Sequence, residues 1–459
     1  MRAVFYPLVP STLPLVMYFS DFLENYDLVQ VITPSGSGAA GRDVGHITNF
    51  NHVGITCTDA LDDNLDNWDI LLVVETSEDN ESIEQEREKY IRQSVASGKQ
   101  VLYAVRENPP RYFRDLQRTY QNFCRFTTFR RVPLELSTFG NKRVQSTEVP
   151  IILVGGLVEQ ADVFHLVMKI ALQMKLDGLK PLVFTKQPAG CLLGFQSLCH
   201  IFNDPRLSES RKMEDINSYI RSCEIQERPD AIILEAPDAV MRYNNFEPNG
   251  FGIRTYMLAQ AVVLDEFLCC VPCELCEVPF INSLSNDFFI RLGTRITVVH
   301  VSNIIIDSIA TIDSGKLAIV HTTLSDVDWH IEEQKRLFPD FNLLFNGMSE
   351  NFSELYNNLV PAVCENAQQP VSKDESPQTW LLHLLHSKFD IPEEHLLREF
   401  FDMPLTGNPF HLNGLSMTYL FLEVEKNYRI FISDKELEDY HFNSINAIID
   451  LISKRKQRI

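Results

Sequence analysis

Val149-Pro150-Ile151-Ile152-Leu153-Val154-Gly155-Gly156 is the stretch on which the fold turns. Its apolar run is continuous rather than alternating, the pattern of a strand buried on both faces of a parallel sheet. It passes directly into two glycines, and a helical pattern follows over about residues 160–176, with Gly178 placed as a C-terminal cap. Strand, glycine turn and helix open an α/β unit. Downstream, Pro181–Thr185, Asp230–Glu235, Arg295–Ile306 and Leu317–His321 read as further strands.

Toward the N-terminus the same alternation recurs. Ala3–Tyr6 reads as a strand, Leu13–Phe22 as a helix and Leu28–Ile32 as a second strand. Asp69–Val74 is a second continuous apolar run, Ile83–Ala96 an amphipathic helix and Gln100–Ala104 the next strand. The segment 109–147, rich in Arg, Phe and Tyr, reads as a helical connector plus linker. The expected fold class is therefore α/β, with a parallel-sheet Rossmann-like domain over 1–145 and a second α/β domain over 146–362. Residues 363–378, polar and Pro-containing, form a linker, and 379–459 a helical bundle. The last helix carries Phe442, Ile445, Ile448, Ile449 and Ile452 on one face.

Composition bounds the function. With 459 residues, about three domains of ~150 residues each are expected. The formal charge of −21 disfavours nucleic acid and anionic membrane as partners. No run is long enough to span a membrane, and Pro7, Pro10 and Pro14 break the apolar N-terminus where a signal peptide would need continuity. Ten cysteines without a secretion signal point to a reducing cytoplasm.

Three places carry candidate chemistry. The Gly155-Gly156 turn stands where a phosphate-binding loop would, and a Walker A loop requires G-x-x-x-x-G-K-[ST]. Here the Lys position holds Asp162 and the hydroxyl position Val163, so one group repels phosphate and the other cannot bind a metal. Gly155, Gly156, Glu159 and Glu235 remain candidates for holding an anion or nucleotide at the helix N-terminus, with Lys186 as a cation supplied from elsewhere. A second glycine-rich loop, Gly36, Gly38 and Gly41, follows the second strand rather than the first and reads as a flexible turn. The third place is Cys269-Cys270-Val271-Pro272-Cys273-Glu274-Leu275-Cys276. Cys270, Cys273 and Cys276 have the C-x-x-C-x-x-C spacing of an iron–sulfur or zinc site, with Cys269, Cys191, Cys199 or Cys223 as a fourth ligand. The competing reading is an extended segment in which Cys serves as a small hydrophobe and residues three apart face opposite ways. His165, His200, His300 and His321 lie in no diagnostic context.

The strand–turn–helix resembles P-loop proteins of the dethiobiotin-synthetase type, with 230–235 in the place of their Walker B strand. That implies a nucleotide-binding fold stripped of its catalytic Lys and Thr. The stretch from Leu412 through Gly414-Leu415-Ser416-Met417 and Tyr419 to Ile432 resembles the second helix of an acyl or peptidyl carrier protein. The family's phosphopantetheine serine then falls on Gly414, fourteen residues before Tyr428, so no phosphopantetheine is expected; Ser416 is the alternative attachment point. Ile151–Gly156, Pro229–Pro237, Asn249-Gly250-Phe251-Gly252 and Leu412–Ile432 together resemble a peptide maturation system family of clostridial-type gene clusters for Cys-rich ribosomal peptides, fused to its acyl-carrier-related companion. The resemblance implies an accessory scaffold that binds a precursor peptide and a radical S-adenosylmethionine maturase. Gly414, Leu415, Met417 and Tyr419 would form its docking helix. The alternative is a nucleotide-dependent or iron–sulfur enzyme acting on the peptide directly.

Overall fold

The computed structural model describes all residues except 51, 63–66, 133–143, 246–248, 316, 350–351, 360–375, 390, 429–431, 433–441 and 457–459. Most of the 363–378 linker lies outside the described residues, and its last two residues already belong to the helix Pro377–Phe389.

The first sheet is formed by β1 (Arg2–Tyr6), β2 (Asp27–Ile32), β3 (Cys57–Thr58), β4 (Ile70–Val74), β5 (Gln100–Ala104) and β6 (Cys124–Thr127). Their order is β3-β2-β1-β4-β5-β6 and every pairing is parallel. This is the doubly wound order of a Rossmann-like sheet. The run at 69–74 is the centre of it, and all five residues of β4 are buried. Between 109 and 147 the structure holds a helix, Arg111–Thr119, and the edge strand β6, which the connector reading of that segment missed. An edge strand pairs on one side only, and β6 has just four residues, so its apolar pattern is weak.

The second sheet contains β7 (Ile151–Gly156), β8 (Pro181–Phe184), β9 (Ala231–Glu235), β10 (Glu266–Pro272), β11 (Val298–Ser302) and β14 (Leu344–Phe345). The order is β14-β11-β10-β7-β9-β8, again parallel throughout. The single strand expected over 295–306 is divided at Asn303: β11 stays in the sheet, and β12 (Ile304–Ile306) pairs antiparallel with β13 (Ile319–His321) in a separate ribbon. The Cys-containing run, read as either a ligand loop or a strand, is both: Cys269–Pro272 end the central strand β10, and Cys273–Leu275 form a 3-10 turn after it.

One face of each sheet contributes to a shared core. The helix Val163–Leu176 packs there against residues of the helix Leu13–Met17, and Ala3, Phe5, Ile152, Val154, Leu166 and Leu268 belong to one buried cluster. The outer faces have separate cores, around Tyr90 and Phe113 on the first sheet and around Phe267 and Phe288 on the second. The C-terminal helices Pro377–Phe389, Gly414–Tyr428 and Ile445–Lys456 enclose a third core of Leu381, Leu385, Leu420, Val424, Ile445, Ile448 and Ile452. Among the described residues no helix is long and apolar enough to cross a membrane.

Candidate functional site

In an open parallel sheet, ligands bind beyond the carboxyl ends of the strands where the strand order reverses. In the second sheet that place is the end of β7, between β9 and β10. The two glycines are there for packing. A Cβ on Gly155 would lie 2.7 Å from Val240 Cγ1 and 3.1 Å from Ala236 Cβ. A Cβ on Gly156 would lie 2.6 Å from the Val158 carbonyl oxygen. The loop then folds onto itself: Leu157 N–H donates to Cys270 O, Ala161 N–H to Val158 O and Asp162 N–H to Gln160 O. A phosphate-binding loop presents such N–H groups to its ligand; here these three are spent within the protein.

Asp162 closes the helix N-terminus. Its backbone is left-handed at φ 58°, and its side chain turns away from its own helix. Ser302 Oγ donates to Asp162 Oδ2 at 2.5 Å, and His300 Nε2 lies 3.2 Å from the same oxygen. His300 Nδ1 accepts the Gly347 N–H at 3.0 Å, which places the ring proton on Nε2, toward the carboxylate. His300 and Ser302 share a face of β11 because residues two apart on a strand point the same way. Burial by itself would raise the Asp162 carboxyl, but the His300 contact and the Ser302 hydroxyl hold it below the usual carboxylate range. A hydrolytic triad needs the imidazole between hydroxyl and carboxylate. Here the carboxylate stands between the other two, so nothing draws the proton from Ser302.

The same helix face continues with His165 and Lys169. His165 Nε2 meets the Tyr18 hydroxyl at 3.0 Å, and its ring packs edge-on against Tyr18 and Phe50. Burial pushes its pKa down to about 3, so it is neutral. Lys169 Nζ donates to Gly347 O at 2.7 Å, and burial lowers its pKa to about 8. This chain of polar groups ties both sheets to the turn after β14. Of its members, Asp162, His165 and His300 were visible in the sequence, but Ser302, Lys169 and Tyr18 were not. The available signal was the spacing of Asp162, His165 and Lys169 by three and four residues along an otherwise apolar helix.

On the other side of β7, Glu235 ends β9 and is buried. It accepts from Thr185 Oγ1, from Lys186 N–H at 3.1 Å and from Gln187 Nε2 at 3.5 Å. Burial raises its carboxyl pKa against the opposing pull of Lys186. Lys186 does reach the loop, where its Nζ pairs with Glu159 Oε2 at 3.2 Å. The structure therefore brings Gly155, Gly156, Glu159, Lys186 and Glu235 together, with the cation already matched by a carboxylate. Next to them Asp238 accepts from Arg254 N–H, Thr255 N–H and Thr255 Oγ1, closing the N-terminus of the helix Ile253–Ala261.

The first sheet repeats the arrangement. At the carboxyl ends of β1 and β4, Glu78 accepts from Ser11 N–H at 3.1 Å and Ser11 Oγ at 2.6 Å. Glu86 accepts from Ser35 N–H at the head of the glycine-rich loop. Asp43 accepts the N–H groups of Gly45, Val53 and Gly54. Gly36, Gly38 and Gly41 have positive φ and open space at each Cβ position, as a turn requires.

The cysteine run does not assemble as one ligand set. The alternation of β10 sends Cys269 into the outer core and Cys270 into the core shared by the two sheets. Cys273 and Cys276 lie on the Cys269 side, and burial lifts their thiols to about 11 and about 12. This corrects the expectation of a four-cysteine site: β10 sends Cys269 and Cys270 to opposite faces, and Cys273 and Cys276, in the turn after it, are buried as small apolar residues. Among the described residues no group of three or more His, Cys, Asp or Glu side chains is placed to hold a metal ion. His200 lies apart from this centre against Tyr219, and His321 Nδ1 contacts Asn303 Oδ1 at 3.3 Å.

At the carrier-like helix, Gly414 is the exposed first residue, and Asn413 Oδ1 caps it by accepting Ser416 N–H at 2.8 Å. Ser416, the alternative attachment point, is 3% exposed and buried in the bundle. Met417 and Tyr419 are half-buried against the C-terminal core, with Tyr419 edge-on to Phe389. The Leu415 side chain lies outside the described residues.

No family model matches this sequence, and no curated protein matches it. Among solved structures, a DUF1611 family protein from Anabaena variabilis is similar with a TM-score of 0.48 at 11% identity, over 79% of this chain and 99% of that one. An amine dehydrogenase from Mycobacterium smegmatis is similar with a TM-score of 0.21 at 13% identity, over 50% of this chain and 62% of that one.

Proposed function

We propose that this chain is a non-hydrolytic accessory protein of peptide maturation, which holds a precursor peptide or a radical S-adenosylmethionine maturase. One observation carries the non-hydrolytic part. At the helix N-terminus after β7 stand Asp162, its carboxylate turned to Ser302 and His300, and Val163, where a nucleotide hydrolase needs a lysine and a metal-binding hydroxyl. A phosphate brought there finds neither of those side chains, and three N–H groups of the loop, those of Leu157, Ala161 and Asp162, are already bonded within the protein. The maturation role itself rests on the family resemblance. The C-terminal bundle supports a docking function through the exposed turn at Asn413 and Gly414 and through Thr418, rather than through Met417 and Tyr419.

One observation favours the rival enzyme reading: Lys186 lies against the loop at Glu159, within the reach a phosphate contact would need. Calorimetric titration with magnesium ATP and magnesium GTP, together with a phosphate-release assay, separates the two. The scaffold reading expects neither heat of binding nor turnover, and co-purification of the chain with its maturase and precursor peptide. Nucleotide binding abolished by Lys186→Met would overturn it, as would failure of both partners to associate.

A further inference from the structure

A separate cleft lies where the far edge of the first sheet meets the far edge of the second. It is small and open to solvent. Its lining comes from the ends of β5 and β6 (Arg106, Glu107, and Thr128 to Arg131) and from the segment after β8 (Ser197, Cys199, His200), with Tyr219 at the back. The lining thus holds three arginines and a histidine beside one carboxylate, Glu107, with Glu75 and Glu227 bonded to Arg106 N–H and Arg130, in a chain whose overall charge is −21. In an acidic protein such a cluster stands against the mean field and marks a place where negative charge is stabilised locally.

Among the described residues the Arg106 and Arg131 side chains form no ion pair. Arg106 Nε is buried without a hydrogen-bond partner, although leaving a buried donor unmade is costly. The Arg106 backbone N–H donates to Glu75 Oε2 at 2.8 Å, and among the described residues its side chain makes no hydrogen bond. Arg131 forms no salt bridge among the described residues, whereas Arg130 pairs at 3.5 Å with Glu227 at the rim. Tyr219 fixes the back wall by donating to Arg130 O and Gln196 Oε1 and packing edge-on against His200. Guanidinium groups present paired N–H donors that match the oxygens of a carboxylate or phosphate.

We infer that this cleft is a binding site for a small oxyanion group, a carboxylate or phosphate of a low-molecular-weight ligand, held by Arg106 and Arg131. The site is distinct from the closed centre after β7 and does not depend on the maturation role.

The test is calorimetric titration of the full-length protein with inorganic phosphate and, separately, with succinate, at constant ionic strength set by sodium chloride. Saturable one-site binding is expected for at least one of them, and the stronger arm identifies the group. Because a hydrogen bond to a charged group contributes about tenfold to a hundredfold in affinity, Arg106→Met and Arg131→Met should each weaken binding by at least about tenfold. Arg118→Met, on the exposed face of the helix Arg111–Thr119, should leave binding unchanged. Circular dichroism and the melting temperature of each variant separate lost binding from lost fold. No saturable heat from either anion, or equal affinity in the wild type and both folded cleft variants, would overturn the inference.

Discussion

Replacing Asp162 by alanine probes the closure of the loop directly. The substitution removes the acceptor for two buried donors, Ser302 Oγ–H and His300 Nε2–H. Each stranded donor costs about 1–3 kcal/mol. Alanine keeps the left-handed backbone at φ 58° that aspartate already bears, a strain of about 1–2 kcal/mol for any residue with a Cβ that therefore largely cancels in this substitution. Against these stands the relief of no longer burying a carboxylate, so the net loss should be near the ~3–5 kcal/mol typical of breaking one side of a buried pair. The chain has several cores and will not unfold in one step, so a global melt is the wrong readout. Hydrogen exchange in the helix Val163–Leu176 is the right one. Protection there should fall by roughly two to three and a half powers of ten, at about 1.4 kcal/mol per decade. Asp162→Gly loses the same carboxylate but not the backbone freedom, so it should be about 1–2 kcal/mol milder than alanine. Protection within a factor of about five of the wild type in Asp162→Ala would refute the reasoning, since that corresponds to about 1 kcal/mol. A glycine variant no milder than alanine would refute the backbone part.

Acid should weaken the protein through His165. Its folded pKa is about 3 and the unfolded value is about 6.5, so below pH ~6.5 the unfolded chain takes up a proton that the folded chain refuses. Stability therefore falls as pH drops from ~6.5 toward 3, by up to about 1.4 kcal/mol per unit, and Asp162, whose pKa is lowered, adds to the loss below pH ~4. The opening free energy of the helix Val163–Leu176, from hydrogen exchange corrected for its intrinsic pH dependence, should fall less steeply between pH 7 and pH 4 in His165→Gln; an identical slope would exclude His165 as its origin. At the C-terminal bundle, a Cβ on Gly414 meets nothing within 4 Å, so Gly414→Ser should fold and present an exposed hydroxyl. With a broad-specificity phosphopantetheinyl transferase, its intact mass should gain one arm while the wild type, with Ser416 buried, stays bare. A bare Gly414→Ser protein would count against the carrier likeness of that helix.

The legible part of this molecule is its strands. The runs at 69–74 and 151–154 are apolar at consecutive positions, and only burial on both faces of a parallel sheet makes that pattern favourable. The glycine after the helix Val163–Leu176, Gly178, was equally readable, because capping is a matter of neighbouring residues. The edge strand β6 and the break at Asn303 were not, because both depend on what lies alongside. The cysteine run shows the limit of spacing alone: the same positions converge in a loop and diverge in a strand, and the pairing of β10 with β7 and β11 decides which.

The sequence by itself determined that Asp162 and Val163 stand where a Walker A loop has its lysine and hydroxyl. Only the tertiary structure decided what replaced it. Asp162 meets His300 and Ser302 across 138 and 140 residues of chain, and Arg106 meets Arg131 and His200 in a cleft between two sheets. Local preference acts over a few residues through backbone geometry and side-chain periodicity. A charge finds its partner through the packing of whole layers, which the order of residues along the chain does not encode locally.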